Sequence, residues 1–199
     1  MTVLVGREAP DFTVPAVLAN GKIADKFNFK KETKGKYSLV FFYPLDFTFV
    51  CPSELVALSK DMQDFADRDV EVISVSIDSH FTHAAWRNTP LDKGGIGEVK
   101  FTMASDINHT ICRSYGIEHP EAGVALRAAF LIDRNGIVRA QIVNDLPLGR
   151  SIAEILRLVD ALQFTEKHGE VCPVNWKKGE AGMKATPVGV AEYLSKHQK

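Results

Sequence analysis

Three cysteines, Cys51, Cys112 and Cys172, are the candidate nucleophiles and redox groups of this 199-residue chain. Only Cys51 stands where a sulfur would be sharpened. It follows Tyr43-Pro44-Leu45-Asp46-Phe47-Thr48-Phe49-Val50 and precedes Pro52-Ser53-Glu54. The run Tyr37 to Tyr43 is short, apolar and aromatic-rich, as a strand buried on both faces is. Apolar residues then fall at Leu55, Leu58, Met62, Phe65 and Ala66, the spacing of one helical face. Pro52 suits the first helical position, where a missing N–H removes nothing. Cys51 therefore sits in the first turn of a helix, where free backbone N–H groups and the positive helix end favour a thiolate. An ordinary cysteine, with a pKa of ~8.5, is only a few per cent thiolate at pH 7, and helix N-termini and arginines raise that share. Thr48, three residues earlier, can offer a hydroxyl to the sulfur or to an oxygen beside it. On position alone, a small buried hydrophobe is as good a reading of Cys51.

The elements that must hold this segment read as an alternation. Val70 to Ile77 is a second strand and Phe81 to Asn88 a short helix, followed by the loop Gly94-Gly95-Ile96-Gly97. Lys100 to Ala104 reads as a strand and His109 to Tyr115 as a helical turn or two, with Cys112 on its short apolar face as an inert buried thiol. Ala128 to Ile132 and Ile137 to Val143 flank Asp133-Arg134-Asn135-Gly136, and Asn-Gly signals a hairpin. Ser151 and Glu154 form a capping box ahead of a helical face of Ile152, Ile155, Leu156, Val159 and Leu162, which closes at Lys167-His168-Gly169. Trp86 is expected to pack near the active-site helix. Phe41, Phe42, Phe47 and Phe49 are expected in the core, with a subunit interface as the alternative. From Glu170 onward glycine and lysine are frequent, and apolar periodicity returns only weakly at Val190, Tyr193 and Leu194. The expected fold is α/β, a central mixed sheet flanked by helices over residues 1–164, with a C-terminal arm over 165–199 that carries Cys172.

Composition narrows the function. Lysine and arginine number 24 against 25 aspartate and glutamate, a formal net charge of −1, without the positive surplus that nucleic-acid or anionic-membrane binding needs. The first eight residues lack the basic and apolar regions of a signal peptide, and Leu39 to Leu45 is too short to span a bilayer, so a cytoplasmic protein is expected. An odd, sparse set of cysteines is a poor disulfide framework there. A dithiol oxidoreductase would want Cys-x-x-Cys, but Glu54 holds the second cysteine's place. A metal site built from His80, His83 and a cysteine lacks ligand spacing, so no metal is expected.

The motifs decide between the two readings of Cys51. Pro-x-x-x-Thr-x-x-Cys, at Pro44, Thr48 and Cys51, resembles the active-site signature of the peroxiredoxins, and the surrounding DFTFVCPSE resembles the typical 2-Cys subgroup. Cys172 in HGEVCP matches the resolving cysteine of that subgroup. Leu126 to Asp133 matches the strand bearing its active-site arginine, here Arg127, and Asn144 to Arg150 matches a further characteristic loop. The resemblance implies a thioredoxin-like fold and a thiol peroxidase without haem, flavin or metal. It implies that Cys51 attacks a peroxide to give a sulfenic acid, that Thr48 and Arg127 orient the peroxide, and that Pro44 shields the intermediate. Glu54 and Arg150 would be a supporting ion pair, with an ordinary surface salt bridge as the alternative. Cys172 would then condense with the sulfenic acid into a disulfide. From the chain alone, that bond needs either the arm of a second subunit or local unwinding of both segments. In the family it joins two subunits, which assemble as dimers and rings of five dimers, and thioredoxin or a flavoprotein disulfide reductase reopens it. A holdase role, known among related proteins, has no specific support here. The near match to the family's Gly-Gly-Leu-Gly loop and the half match Tyr193-Leu194 to its Tyr-Phe pair give an expectation of intermediate sensitivity to over-oxidation.

Overall fold

The structure is a computed structural model that describes residues 3–197. The chain divides into two compact units that meet in sequence at Ile152 and Ala153. The first is built on a seven-stranded mixed sheet: β1 (Thr13–Val17), β2 (Ile23–Asn28), β3 (Tyr37–Phe42), β4 (Val70–Ser76), β5 (Thr102–Ser105), β6 (Arg127–Ile132) and β7 (Val138–Asn144), in the spatial order β2-β1-β5-β4-β3-β6-β7. The central strands β3, β4 and β5 run parallel, and β6, β7, β1 and β2 add antiparallel pairings on either side. All six residues of β3 are buried, as its unbroken apolar sequence requires of a strand covered on both faces. One core cluster runs through Val40, Phe42, Ile73, Val75, Ala104, Ala128 and Phe130. Helices α1 (Phe29–Glu32), α2 (Cys51–Lys60), α3 (Met62–Ala66), α4 (His80–Asn88) and α5 (Thr110–Ser114) complete the unit.

Strand, helix and hairpin positions from residue 37 onward follow the sequence reading to within a few residues. Three differences have identifiable causes. The helix expected from Pro52 to Ala66 breaks at Asp61, whose backbone (φ −91°, ψ 9°) leaves the helical region, so α2 and α3 are separate. Aspartate competes with the helical backbone for hydrogen bonds, so this is a weak point in the run. The strands β1 and β2 had no sequence signal. Pro15 interrupts β1, where the pairing register shifts between Val14 and Ala16, and only Phe27 of β2 is buried, so β2 carries little apolar pattern. Phe41 and Phe42 are buried, but Phe47 is 50% and Phe49 96% exposed, so neither belongs to the core. They lie in the connection from β3 to α2, where Asp46 takes the inward place.

The second unit carries most of α6 (Ile152–His168) and α7 (Pro187–His197). The final helix lies where only weak periodicity was read. Its start signal is Thr186-Pro187, with the Thr186 hydroxyl accepting from the Gly189 N–H at 3.1 Å.

Candidate active site

Strand β3 delivers the chain to residues 43–50, and α2 begins at Cys51. Asp46 pins this connection to the sheet. Its carboxylate accepts from the Tyr43 hydroxyl at 2.7 Å and meets His83 Nδ1 at 2.7 Å. Its backbone N–H donates to Asp78 Oδ2 at 2.8 Å. The side chains of Asp46 and His83 are wholly buried. Burial pushes the Asp46 carboxyl above its ordinary range, opposed by the hydrogen bond and charge of His83. The same burial, with Asp46 alongside, pushes the Tyr43 phenol well up. Phe47 follows in the left-handed region at φ +54°, a conformation a bulky residue adopts only where its surroundings fix it. Trp86 is buried against Tyr43 and Phe47, with ring centroids 6.0 and 5.7 Å away.

The backbone then turns Thr48 toward the sulfur. Thr48 Oγ1 lies 2.9 Å from Cys51 Sγ and 2.8 Å from the Leu45 carbonyl oxygen, two acceptors for one hydroxyl proton. Cys51 is fully buried at the first position of α2, and Pro44 is buried too. The residue before the helix, Val50, has no side chain that caps it.

Behind the sulfur stands an ionic cluster. Glu54, on the same turn of α2, accepts from Arg127 Nη1 at 2.9 Å through Oε2. Arg150 grips both carboxylate oxygens, with Nε 2.9 Å from Oε1 and Nη2 2.9 Å from Oε2, and its backbone N–H donates to Oε1 at 2.8 Å. Arg150 also lies over the Phe41 ring, 3.4 Å from its centroid. Arg127, the first residue of β6, directs Nη1 at Cys51 Sγ from 3.4 Å. The side chains of Arg150, Glu54 and Arg127 are 0%, 3% and 5% exposed, so the cluster is a buried one, not a surface salt bridge. Burial pushes the Glu54 carboxyl up, but Arg150 and then Arg127 more than reverse this and hold it below its ordinary value. Two guanidiniums against one carboxylate leave net positive charge beside the sulfur.

The other thiols are placed differently. Cys112 belongs to the core, and burial, Asp106 and Glu118 push its thiol up to about 12. We expect iodoacetamide at pH 8 to leave Cys112 unmodified in the folded protein, as read by peptide mass after digestion; labelling as fast as that of a free cysteine would contradict this environment. His109, Cys112 and Glu118 present ligand atoms within 4.8 Å of one another. Arg113 already holds both oxygens of Glu118, at 2.8 and 3.0 Å, so a cation stands where a metal would need that carboxylate. His83, considered with His80 for a metal, has both ring nitrogens engaged, by Asp46 and by the Ala104 carbonyl at 3.3 Å. Within the second unit, Cys172 Sγ is 3.6 Å from the Ala161 carbonyl, and burial pushes its thiol up while Arg157 pulls it back.

Of the residues singled out in the sequence, Thr48, Cys51, Glu54, Arg127 and Arg150 thus converge in one site, and Pro44 lies in the same connection. Sequence reading missed Asp46 and Asp78, and weighed His83 only as a metal ligand, not as the buried partner of Asp46. The available signal was a lone acid in Tyr-Pro-Leu-Asp-Phe, a charge inside an apolar run that must find buried partners.

Residues 5–141 match the family model described as AhpC/TSA family. The chain belongs to this family. Residues 161–196 match a second model, the C-terminal domain of 1-Cys peroxiredoxin. The alkyl hydroperoxide reductase C of Buchnera aphidicola subsp. Schizaphis graminum is 56% identical over 98% of each chain. The mitochondrial thioredoxin-dependent peroxide reductase of Mus musculus is 50% identical over 99% of this chain and 76% of that protein. The reduced 2-Cys peroxiredoxin of Plasmodium vivax superimposes with a TM-score of 0.93 at 50% identity, covering 98% of this chain and all of that one. That likeness confirms the thioredoxin-like peroxiredoxin fold. No helix of this peroxiredoxin among the described residues is long and apolar enough to cross a membrane.

Proposed function

We propose that this chain is a thiol peroxidase that reduces hydrogen peroxide and organic hydroperoxides through Cys51. The observation that carries the reading is the convergence of Thr48 Oγ1 and Arg127 Nη1 on the buried Cys51 sulfur, at 2.9 and 3.4 Å. Breaking the O–O bond needs an electron-rich sulfur and positive charge where the departing oxygen becomes anionic. A guanidinium supplies fixed, permanently charged donors for that oxygen. The Cys51 thiolate attacks one peroxide oxygen, the O–O bond breaks, and the departing oxygen takes a proton to leave as water or alcohol. The sulfur is left as a sulfenic acid. Thr48 and Arg127 orient the peroxide, Pro44 shields the sulfur, and Glu54 with Arg150 holds Arg127 in place.

Cys172, in the arm spanning 165–199, then attacks the sulfenic sulfur and expels water, forming a disulfide between subunits. A dithiol donor, thioredoxin or a flavoprotein disulfide reductase, takes that bond back to two thiols. The assembly is a homodimer that forms a pentamer of dimers, the setting is the cytoplasm, and the chemistry needs no metal or organic cofactor. The test is one equivalent of hydrogen peroxide added to the fully reduced protein, read by non-reducing gel and intact mass. A rapid, complete shift to a reducible dimer, lost in both Cys51→Ser and Cys172→Ser, is the expected result. An oxidised monomer two hydrogens lighter would place the disulfide within one chain. No rapid change would leave Cys51 a core thiol and end the reading.

A further inference from the structure

The hydroxyl of Thr48 has one proton and two acceptors, and the structure shows what decides between them. The Leu45 carbonyl that competes with the sulfur belongs to the same planar peptide as the Asp46 N–H. At one end of that plane the N–H donates to Asp78 Oδ2 at 2.8 Å, and at the other the carbonyl oxygen lies 2.8 Å from Thr48 Oγ1. Asp78 is itself firmly mounted. Its Oδ2 accepts from the Ser76 hydroxyl at 2.7 Å, and its carbonyl accepts from the Ser105 hydroxyl at 2.7 Å. Ser76 and Ser105 are the last residues of the parallel neighbours β4 and β5. The carboxylate is thus fixed to the rigid centre of the sheet and reaches the sulfur through one peptide and one hydroxyl.

We propose that Asp78 is a positioning residue for the reaction of Cys51 with peroxide, acting through the Leu45–Asp46 peptide on the Thr48 hydroxyl; this rests on the reading of Cys51 as the peroxide-reacting sulfur. A carboxylate at the N–H end polarises the amide and makes its carbonyl a stronger acceptor. The Thr48 proton is drawn to Leu45. A hydroxyl held that way keeps a lone pair available for the O–H that a hydroperoxide brings with it. Without Asp78 the peptide plane is free to tilt, and the hydroxyl turns to the sulfur.

An alkylating agent such as iodoacetamide has no O–H to present, and this separates positioning from general damage. The bimolecular rates of Cys51 with hydrogen peroxide and with iodoacetamide are measured at fixed pH on the full chain. Asp78→Ala should slow the peroxide reaction roughly 10- to 100-fold, the scale of a misplaced reacting geometry, and leave alkylation no slower than in the native chain. Asp78→Asn, which keeps an acceptor oxygen but not the charge, should leave a smaller, roughly several-fold, loss of the same peroxide-selective kind, and serves if the alanine variant does not fold. In a Thr48→Val background, Asp78→Ala should cost nothing further. Equal slowing with both reagents, or an undiminished loss in the Thr48→Val background, would overturn the proposal. No reaction of the native chain with peroxide would instead overturn the reading of Cys51. Native-like rates in Thr48→Val alone would remove the hydroxyl from the mechanism, and Asp78 with it.

Discussion

Arg127→Gln should slow the reaction of Cys51 with hydrogen peroxide by roughly 100- to 1,000-fold, the loss typical when one preorganised donor is taken from a developing anion. Stopped-flow measurement of the oxidation rate under excess peroxide reads it directly. The effect depends on direction as much as on charge. Arg127 is the first residue of β6, a strand paired on both sides in the sheet, its Nη1 is shared between Glu54 at 2.9 Å and Cys51 at 3.4 Å, and its Nε donates to the Leu146 carbonyl. That threefold hold fixes the guanidinium before any substrate arrives. Lysine at this position retains charge but has no fork to satisfy Leu146, Glu54 and the sulfur together, so Arg127→Lys should recover little of the loss. A lysine variant as fast as the native chain would show that charge alone suffices.

The second large effect falls on stability. Glu54→Gln leaves Arg127 and Arg150 buried without their shared counter-charge, and breaking a buried pair in this way costs about 3–5 kcal/mol. For a chain of this size that lowers the melting temperature by roughly 6–20 °C. Calorimetry at pH 7 would measure it, and a shift of a degree or less would mean that water reaches the cluster. The pH dependence has a definite sign. The folded state holds the Glu54 carboxyl below its ordinary value, so its contribution is complete above the unfolded pKa, about 4.3, and is lost as pH falls through the lower folded value. The native chain should therefore lose this contribution only below about pH 4, and the glutamine variant should lack that part of its acid limb.

How much of this was legible in the sequence depends on the range of the interaction. Local patterns carried far: the buried run at β3, the Asn-Gly hairpin between β6 and β7 and the capping box at Ser151 each act within a few residues. Cys51 was placed at a helix start from Pro52 and the apolar spacing alone. Arg127 and Arg150, 76 and 96 residues from the groups they hold, were reached only through motif resemblance, since nothing in their neighbours points to Cys51 or Glu54. The anchoring roles of Asp46, Asp78 and His83 were missed because each residue joins segments that only the sheet brings together. Strand β1 was hidden by Pro15, whose cost is absorbed by a register shift that exists only once β2 is paired with it. Phe47 and Phe49 were misassigned because hydrophobicity records what a residue prefers, not which way a pinned loop points it.

The bare start of α2 has a further consequence. Val50 has no side chain to cap the turn that holds Cys51, whereas Ser79 accepts from the Thr82 N–H at the start of α4. A capping side chain is worth about 1 kcal/mol, so the turn under the sulfur opens several-fold more often than a capped one would. Once the sulfur is oxidised, two clocks run against each other: one is the lifetime of that turn, and the other is the arrival of a second peroxide molecule, which carries a sulfenic acid on to the sulfinic state, from which a thiol does not recover it. A short-lived turn favours recovery. The cap residue is therefore a dial on the dose of oxidant at which the protein stops defending and is consumed, and it can be turned without touching any group that meets the peroxide.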